Sequence, residues 1–265
     1  MTAPGRVVWL DGALLPPARA ALSIDDPAVR WGEGLFETMR AEGGRVGLLE
    51  RHLDRLLASA AVLGLAPMPD RRRLRQGVAE ALSALAAPAA RVRLTATARP
   101  TVLVEATAEA PAARGPRTAS ALAVPGAWCP GDPIAEHKTL SYAGHRLAQR
   151  RAEAAGADHA LLLDAEGRLG QAALANVFCA VDGEVVTAPA SGLLAGVARS
   201  VAMEALTVRE EALAEPRWRA ADEIVLTNAV AGAVAVVAVD GTAVGDGRPG
   251  PLARRLGAAL SEAWG

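Results

Sequence analysis

The sequence predicts a mixed α+β (α/β) chain of two domains, and three observations carry that expectation. Strand-like runs joined by Asp-Gly and Gly-Gly turns interleave with helical-period segments in both halves. A Pro- and Gly-rich stretch, PAARGPR at 111–117, separates the halves. A length of 265 residues suits one large domain or two moderate ones with a buried core. The division read from this is a small N-terminal α/β domain over 1–110, a linker at 111–117 and a larger C-terminal domain over 118–265.

Val7–Leu10 and Ala13–Leu15 flank Asp11-Gly12, a hairpin signal, and LFETMRAEGGRVGLL repeats the device with Gly43-Gly44 as its turn. Residues 48–64 space apolar side chains at helical period and stop on Gly64. A second helix is expected over 71–85, and RVRLTATA and TVLVEATAEA read as strands. Beyond the linker come a strand at 119–124, a loop through Pro133 and a helix over about 142–155. Short strands follow, with turns at Glu166-Gly167 and Asp182-Gly183. A helix begins near Gly196, strands fill 223–239, and a last helix covers 251–264.

Composition narrows the function classes. A formal net charge of −1 suggests no nucleic-acid or anionic-membrane partner. Four histidines (His52, His137, His145, His159) and two cysteines (Cys129, Cys179) show no metal-ligand spacing. Cys179, in an apolar run, reads as a small core residue, and so few cysteines fit a reducing cytoplasm. The first ten residues lack the apolar core of a signal peptide. The longest uncharged stretch, 224–239, reads as buried strands rather than a membrane span.

One residue stands out by scarcity. Of 28 basic residues only Lys138, in EHKTLSY, is a lysine. A guanidinium stays protonated, whereas a buried amine can lose its proton and attack a carbonyl carbon. A lone lysine in an arginine-rich chain can also be a compositional remnant, so its neighbours decide. LLAGVARS (193–200) places Gly196 before a helix start, where the N–H groups of Val197 and Ala198 are free donors for an anion. Arg55 on a helix could add a bidentate contact to a phosphate. An amine near a phosphate site suggests a phosphorylated aldehyde held as a Schiff base, of which pyridoxal phosphate is the common instance.

Four segments then carry a resemblance: WGEGLFETMR (31–40), HLDRL (52–56), KTLSY (138–142) and GVARS (196–200). Together they resemble the class IV, or fold-type IV, pyridoxal-phosphate enzymes. That group includes branched-chain aminotransferase, D-amino acid aminotransferase and 4-amino-4-deoxychorismate lyase. The resemblance implies a two-domain fold whose larger domain has a β-barrel-like core. It implies that Lys138 carries the cofactor and shuttles the substrate proton, and that Arg55, Gly196, Val197 and Ala198 hold the phosphate. Gln171 would contact the pyridine nitrogen, with Asn176 also at the cofactor. Thr38, Trp31 (where the family has tyrosine) and Asn228 would meet substrate. TNAVAGAV (227–234) is most like the lyase branch. Read alone, Asn228 would be a strand-end asparagine satisfying local backbone, and Thr38 an ordinary strand residue.

Three departures qualify the resemblance. Gln171 stands where the family has a glutamate that keeps the ring nitrogen protonated. A charge-assisted hydrogen bond contributes about 1.5–3 kcal/mol and a neutral one about 0.5–1.5. A deficit of ~1–2 kcal/mol would lower the protonated population roughly ten-fold. The strands around Arg99-Pro100 are joined by about two residues, where relatives carry a longer Gly-rich, Arg-containing loop. The hydroxyl-rich family stretch before the asparagine reads AALA here (172–175).

The function implied is a cytoplasmic, homodimeric lyase. It would release pyruvate from a small-molecule amino substrate, aminodeoxychorismate, and form 4-aminobenzoate for folate biosynthesis, with Lys138 as general acid and base. The alternatives are a class IV aminotransferase on branched-chain or D-amino acids and a weakly active or non-catalytic homologue.

Overall fold

The computed structural model describes residues 5–110 and 117–265. The linker expected at 111–117 lies outside the described residues except for Arg117, which opens a strand. The chain forms two compact units. The first gathers the elements up to residue 112 with Lys138–Ser141 and Trp264, and the second gathers the remainder. The lysine segment therefore groups with the first unit, although its place in sequence is within 118–265.

In the first unit the elements are β1 (Arg6–Leu10), β2 (Ala13–Leu15), α1 (Pro27–Trp31), β3 (Gly34–Glu42), β4 (Arg45–Val46), α2 (Leu49–Val62), α3 (Arg71–Leu85), β5 (Ala89–Thr97) and β6 (Val102–Ala108). The strands form an antiparallel sheet in the order β2-β1-β6-β5-β3-β4. Leu35, Met39 and Ala41 of β3 share a core with Leu53 and Leu56 of α2 and with Leu74, Val78 and Leu85 of α3. Period-two alternation sends Phe36, Thr38 and Arg40 to the other face. The short α1 escapes the sequence reading because five residues are too few to show a period. Asp26 caps it, accepting from Ala28 N at 2.9 Å and from Thr97 Oγ1 at 2.8 Å. Gly32, at φ 72°, ends it. The β5–β6 connection is residues 98–101, closed by Thr97 N donating to Thr101 O at 3.1 Å. It is thus a little longer than the two residues expected.

In the second unit the elements are β7 (Arg117–Val124), α4 (Ala143–Ala154), β8 (His159–Leu163), β9 (Leu169–Ala172), β10 (Asn176–Val181), β11 (Glu184–Thr187), α5 (Val197–Ala205), β12 (Arg209–Glu210), α6 (Glu215–Arg219), β13 (Glu223–Asn228), β14 (Gly232–Val239), β15 (Thr242–Ala243) and α7 (Pro251–Trp264). The sheet runs β12-β11-β10-β13-β14-β7-β8-β9, with β15 on β14. It curls until β9 meets the start of β10, where Ala172 N donates to Ala175 O at 2.9 Å. The barrel-like core expected for this half is that curl. Val177, Cys179 and Val181 of β10 and Ile224 and Leu226 of β13 fill its inside around Trp218. The intervening Phe178 and Val225 meet Ala202 of α5 and Leu256 of α7. Both faces are covered, so these strands read in sequence as unbroken apolar runs. Among the described residues no helix is long and apolar enough to cross a membrane.

One carboxylate ties the curl to the last helix. Glu223, at the start of β13, accepts from Gly250 N (3.0 Å), Leu252 N (2.8 Å) and Ala253 N (3.1 Å), supplying the cap that α7 lacks locally. Gly250 must be glycine, since a Cβ there would collide with that carboxyl group. Glu223→Ala is expected to destabilise the fold by about 2–3 kcal/mol, as a lost charged cap. A lowered urea midpoint at unchanged slope would show it.

Candidate functional site

Lys138 is placed by the backbone. Phe36 N donates to Lys138 O and Leu140 N donates to Gly34 O, both at 2.9 Å, with Thr139 opposite Leu35. The lysine segment thereby pairs with the start of β3, which the short β4 leaves uncovered. Gly34 permits the approach: a Cβ there would lie 2.7 Å from Leu140 Cδ1 and 3.0 Å from Ala96 O. The half-buried lysine holds its Nζ 4.4 Å from the Phe36 ring centroid, and the Arg93 guanidinium carbon lies 3.8 Å from the same centroid. Arg93 sits across the β3–β5 ladder from Thr38. Lys138, Phe36, Arg93 and Thr38 therefore form one neighbourhood.

The other face of β3 carries a buried charge cluster. Glu37, 1% exposed, takes His52 Nδ1 at 2.8 Å and Arg55 through Nε at 2.9 Å and Nη2 at 2.5 Å. His52 and Arg55 are three residues apart on α2, so both reach the same carboxylate. Burial alone would raise the Glu37 pKa, but the Arg55 charge and the hydrogen bonds from His52 and Arg55 hold it down at about 2. Arg55, implied by resemblance to bind a phosphate, is thus braced on Glu37. The sequence reading gave no role to Glu37, His52, Phe36 or Arg93. The pairing of His52 with Arg55 on one helix face, opposite a glutamate in an apolar strand, was the signal available.

Desolvation pushes the Lys138 amine down to about 8. Glu37 opposes that shift, while Arg55 and Arg93 add to it.

In the second unit, α5 starts at Gly196, whose φ of −67° and ψ of 144° are those of a cap residue, and among the described residues no side chain caps it. Val197 and Ala198 in its first turn are buried. Asn176 braces this start: its Nδ2 donates to Leu194 O at 2.8 Å, and a Cβ at Gly196 would collide with its Oδ1. Gln171, on β9 and 4% exposed, has Nε2 3.4 Å from His145 Nε2. His145 and Tyr142, also unassigned in the sequence reading, stack with ring centroids 4.5 Å apart.

Asn228 and Trp31, the two remaining substrate candidates, lie at a strand end and a helix end. Asn228 Oδ1 accepts from Val230 N at 3.0 Å and Ala231 N at 2.7 Å, so the side chain satisfies local backbone at the strand end. Trp31 ends α1 with 70% of its surface exposed. Lys138, Arg55, Thr38 and Trp31 belong to the first unit. Gln171, Asn176, Gly196, Val197, Ala198 and Asn228 belong to the second.

With its pKa near 8, Lys138 is about half neutral at pH 8, against well under 1% for an ordinary lysine. Because it is the only lysine, an amine-selective reagent reads it apart from the α-amino group alone. Labelling at Lys138, followed by peptide mass spectrometry, is expected to rise with a midpoint near pH 8. In Arg93→Gln, with one positive neighbour removed, the midpoint should move up.

Comparison with known proteins gives the family. The family model described as amino-transferase class IV matches residues 34–239. Branched-chain-amino-acid aminotransferase-like protein 2 of Arabidopsis thaliana is 27% identical over 280 residues, covering 94% of this chain and 49% of the relative. The chain thus spans about half the length of that relative. A bifunctional aminodeoxychorismate lyase / D-amino acid transaminase of Mycobacterium tuberculosis is 32% identical over 195 residues, covering 67% of each chain. The structure of a hypothetical aminotransferase from Mycobacterium tuberculosis in its PLP-bound form superposes with a TM-score of 0.83, at 26% identity, covering 97% of this chain and 98% of that one. The family match spans β3, the lysine segment, β9 and the α5 start, and this chain belongs to the class IV aminotransferase family.

Proposed function

We propose that the chain is a pyridoxal-phosphate-dependent enzyme that moves the amino group of a small amino acid, with Lys138 as its catalytic residue. The observation that carries this reading is the lone lysine, fixed by the β3 ladder over Phe36, with burial lowering its amine pKa to about 8. Two features fit the cofactor: that amine, suited to a carbonyl carbon, and the uncapped α5 start, suited to a phosphate. When bound, pyridoxal phosphate supplies an aldehyde and an electron-withdrawing ring that stabilises negative charge beside the amino group.

The remaining chemistry falls to the chain. Lys138 Nζ takes the proton from the substrate carbon bearing the amino group and returns one later. Arg93 sets a fixed positive charge beside the same Phe36 ring, suited to a substrate carboxylate. The N–H groups of Val197 and Ala198 would hold the phosphate, and Glu37 fixes the orientation of the Arg55 guanidinium. Gln171 would contact the ring nitrogen. We place this activity in a cytoplasmic homodimer, in line with the composition and the family resemblance.

A second reading, pyruvate release from aminodeoxychorismate, is favoured by Gln171. A reaction helped by aromatisation of its product depends less on a strongly protonated ring than transamination does. The bifunctional relative carries both activities in its name. Asn228 Oδ1 accepts from local backbone N–H groups, so its geometry adds no further support to the lyase reading.

Purified protein with added pyridoxal phosphate is expected to show a long-wavelength absorbance band that Lys138→Ala abolishes. Amino transfer to 2-oxoglutarate without pyruvate release supports the first reading; pyruvate release without transfer supports the second. The absence of any band with excess cofactor rejects both.

A further inference from the structure

Gln171 and His145 meet nitrogen to nitrogen, Nε2 to Nε2, at 3.4 Å. Such a pair is attractive only if one atom carries hydrogen and the other a lone pair. An amide nitrogen is a donor only, so the imidazole Nε2 is the acceptor and the ring hydrogen sits on Nδ1. The ring is held in this attitude. It stacks on Tyr142, the planes within 7° of parallel, and the Tyr142 hydroxyl donates to Ala173 O at 3.3 Å. Ala173 is two residues beyond Gln171, so the turn that follows the glutamine's strand also anchors the support of its partner.

A glutamine has two chemically opposite ends, and in a buried position its neighbours decide which end faces the site. We propose that His145 is a positioning residue: by accepting from Gln171 Nε2, it leaves the amide oxygen as the atom Gln171 offers to the ring nitrogen of pyridoxal phosphate. This rests on the reading of Gln171 given under Proposed function. The consequence is specific. An oxygen accepts from a protonated ring nitrogen, whereas a reversed amide would donate to an unprotonated one. His145 thus lets a neutral residue select the ring form that the family glutamate secures by charge, and it does so with a weaker, neutral hydrogen bond.

The test has two parts, both on the full chain. In cofactor-free protein, long-range proton–nitrogen spectra of the histidine rings are expected to show neutral His145 with its hydrogen on Nδ1. That preference should fade in Gln171→Leu. A hydrogen on Nε2 in the wild type would overturn the proposal, because the amide oxygen would then face the imidazole. In the loaded enzyme, His145→Phe keeps an aromatic ring against Tyr142 but removes the acceptor. It is expected to lower kcat about five-fold, with KM changed by less than about two-fold, as loss of one neutral hydrogen bond implies. It should also shift the pH midpoint of the cofactor absorbance. His145→Gln, whose amide reaches the same place with an acceptor oxygen, should restore both. Identical behaviour of the Phe and Gln variants would reduce His145 to packing and sink the proposal. Failure to bind cofactor at all would reject the proposed function, while the ring tautomer would still decide the His145–Gln171 contact.

Discussion

The candidate chemistry depends first on two backbone hydrogen bonds, Phe36 N to Lys138 O and Leu140 N to Gly34 O. A lysine side chain has four rotatable bonds, and an amine at its end has no fixed address unless the main chain supplies one. Docking 138–140 on the edge of β3 supplies it, and the Phe36 ring then gives the amine an apolar, weakly attracting surface. Edge pairing also satisfies strand groups that would otherwise need water or a partner. A structural need of the sheet and a chemical need of the site are met by the same short segment. Gly34 makes the approach possible, and its tight surroundings explain why a glycine opens the strand.

Beneath that edge lies a cluster that few folds would tolerate without use. Glu37 is buried as a carboxylate, which is costly unless paired and hydrogen-bonded on its free lone pairs. Arg55 and His52 provide that pairing, and the low pKa of Glu37 shows that they outweigh the desolvation. The arrangement places one negative and two positive side chains within electrostatic reach of Lys138. The positive charges of Arg55 and Arg93 reinforce its desolvation, and Glu37 opposes it. The amine pKa is therefore lowered only to about 8 instead of losing its basicity altogether. Arg55 therefore belongs to the electrostatic setting of the lysine.

Most of the architecture was legible because its signals are local. The Asp-Gly and Gly-Gly turns mark their hairpins, and the helical period of 71–85 matches α3 end to end. Elements of about five residues, α1 and α6, were not legible, since a period needs more than one turn to declare itself. The curl of the second sheet came only through resemblance, because the bridge between Ala172 and Ala175 leaves no pattern in composition. At the site, Lys138 was found through its rarity and its motif. Glu37, Arg93 and His145 were missed because their meaning comes from partners distant in sequence: His52 and Arg55, the Phe36 ring, and Gln171. Asn228 went the other way. Its motif suggested substrate, while its geometry shows the local backbone turn that a strand-end asparagine ordinarily makes.

The departures from the family pattern sort by what kind of atom each contact needs. Ala198 in place of a hydroxyl residue, and AALA in place of a hydroxyl-rich stretch, remove side-chain donors. They leave untouched the N–H groups at the α5 start, because any residue supplies those when the helix begins there. Asn176 fixes where it begins by bracing Gly196 and bonding Leu194. The backbone recognition of a phosphate proposed above therefore does not need those hydroxyls. Recognition of the ring nitrogen has no backbone substitute, since it depends on a side-chain acceptor. That is why the exchange of glutamate for Gln171 bears on chemistry more than the loss of several hydroxyls, and why the residue orienting that amide matters to the outcome.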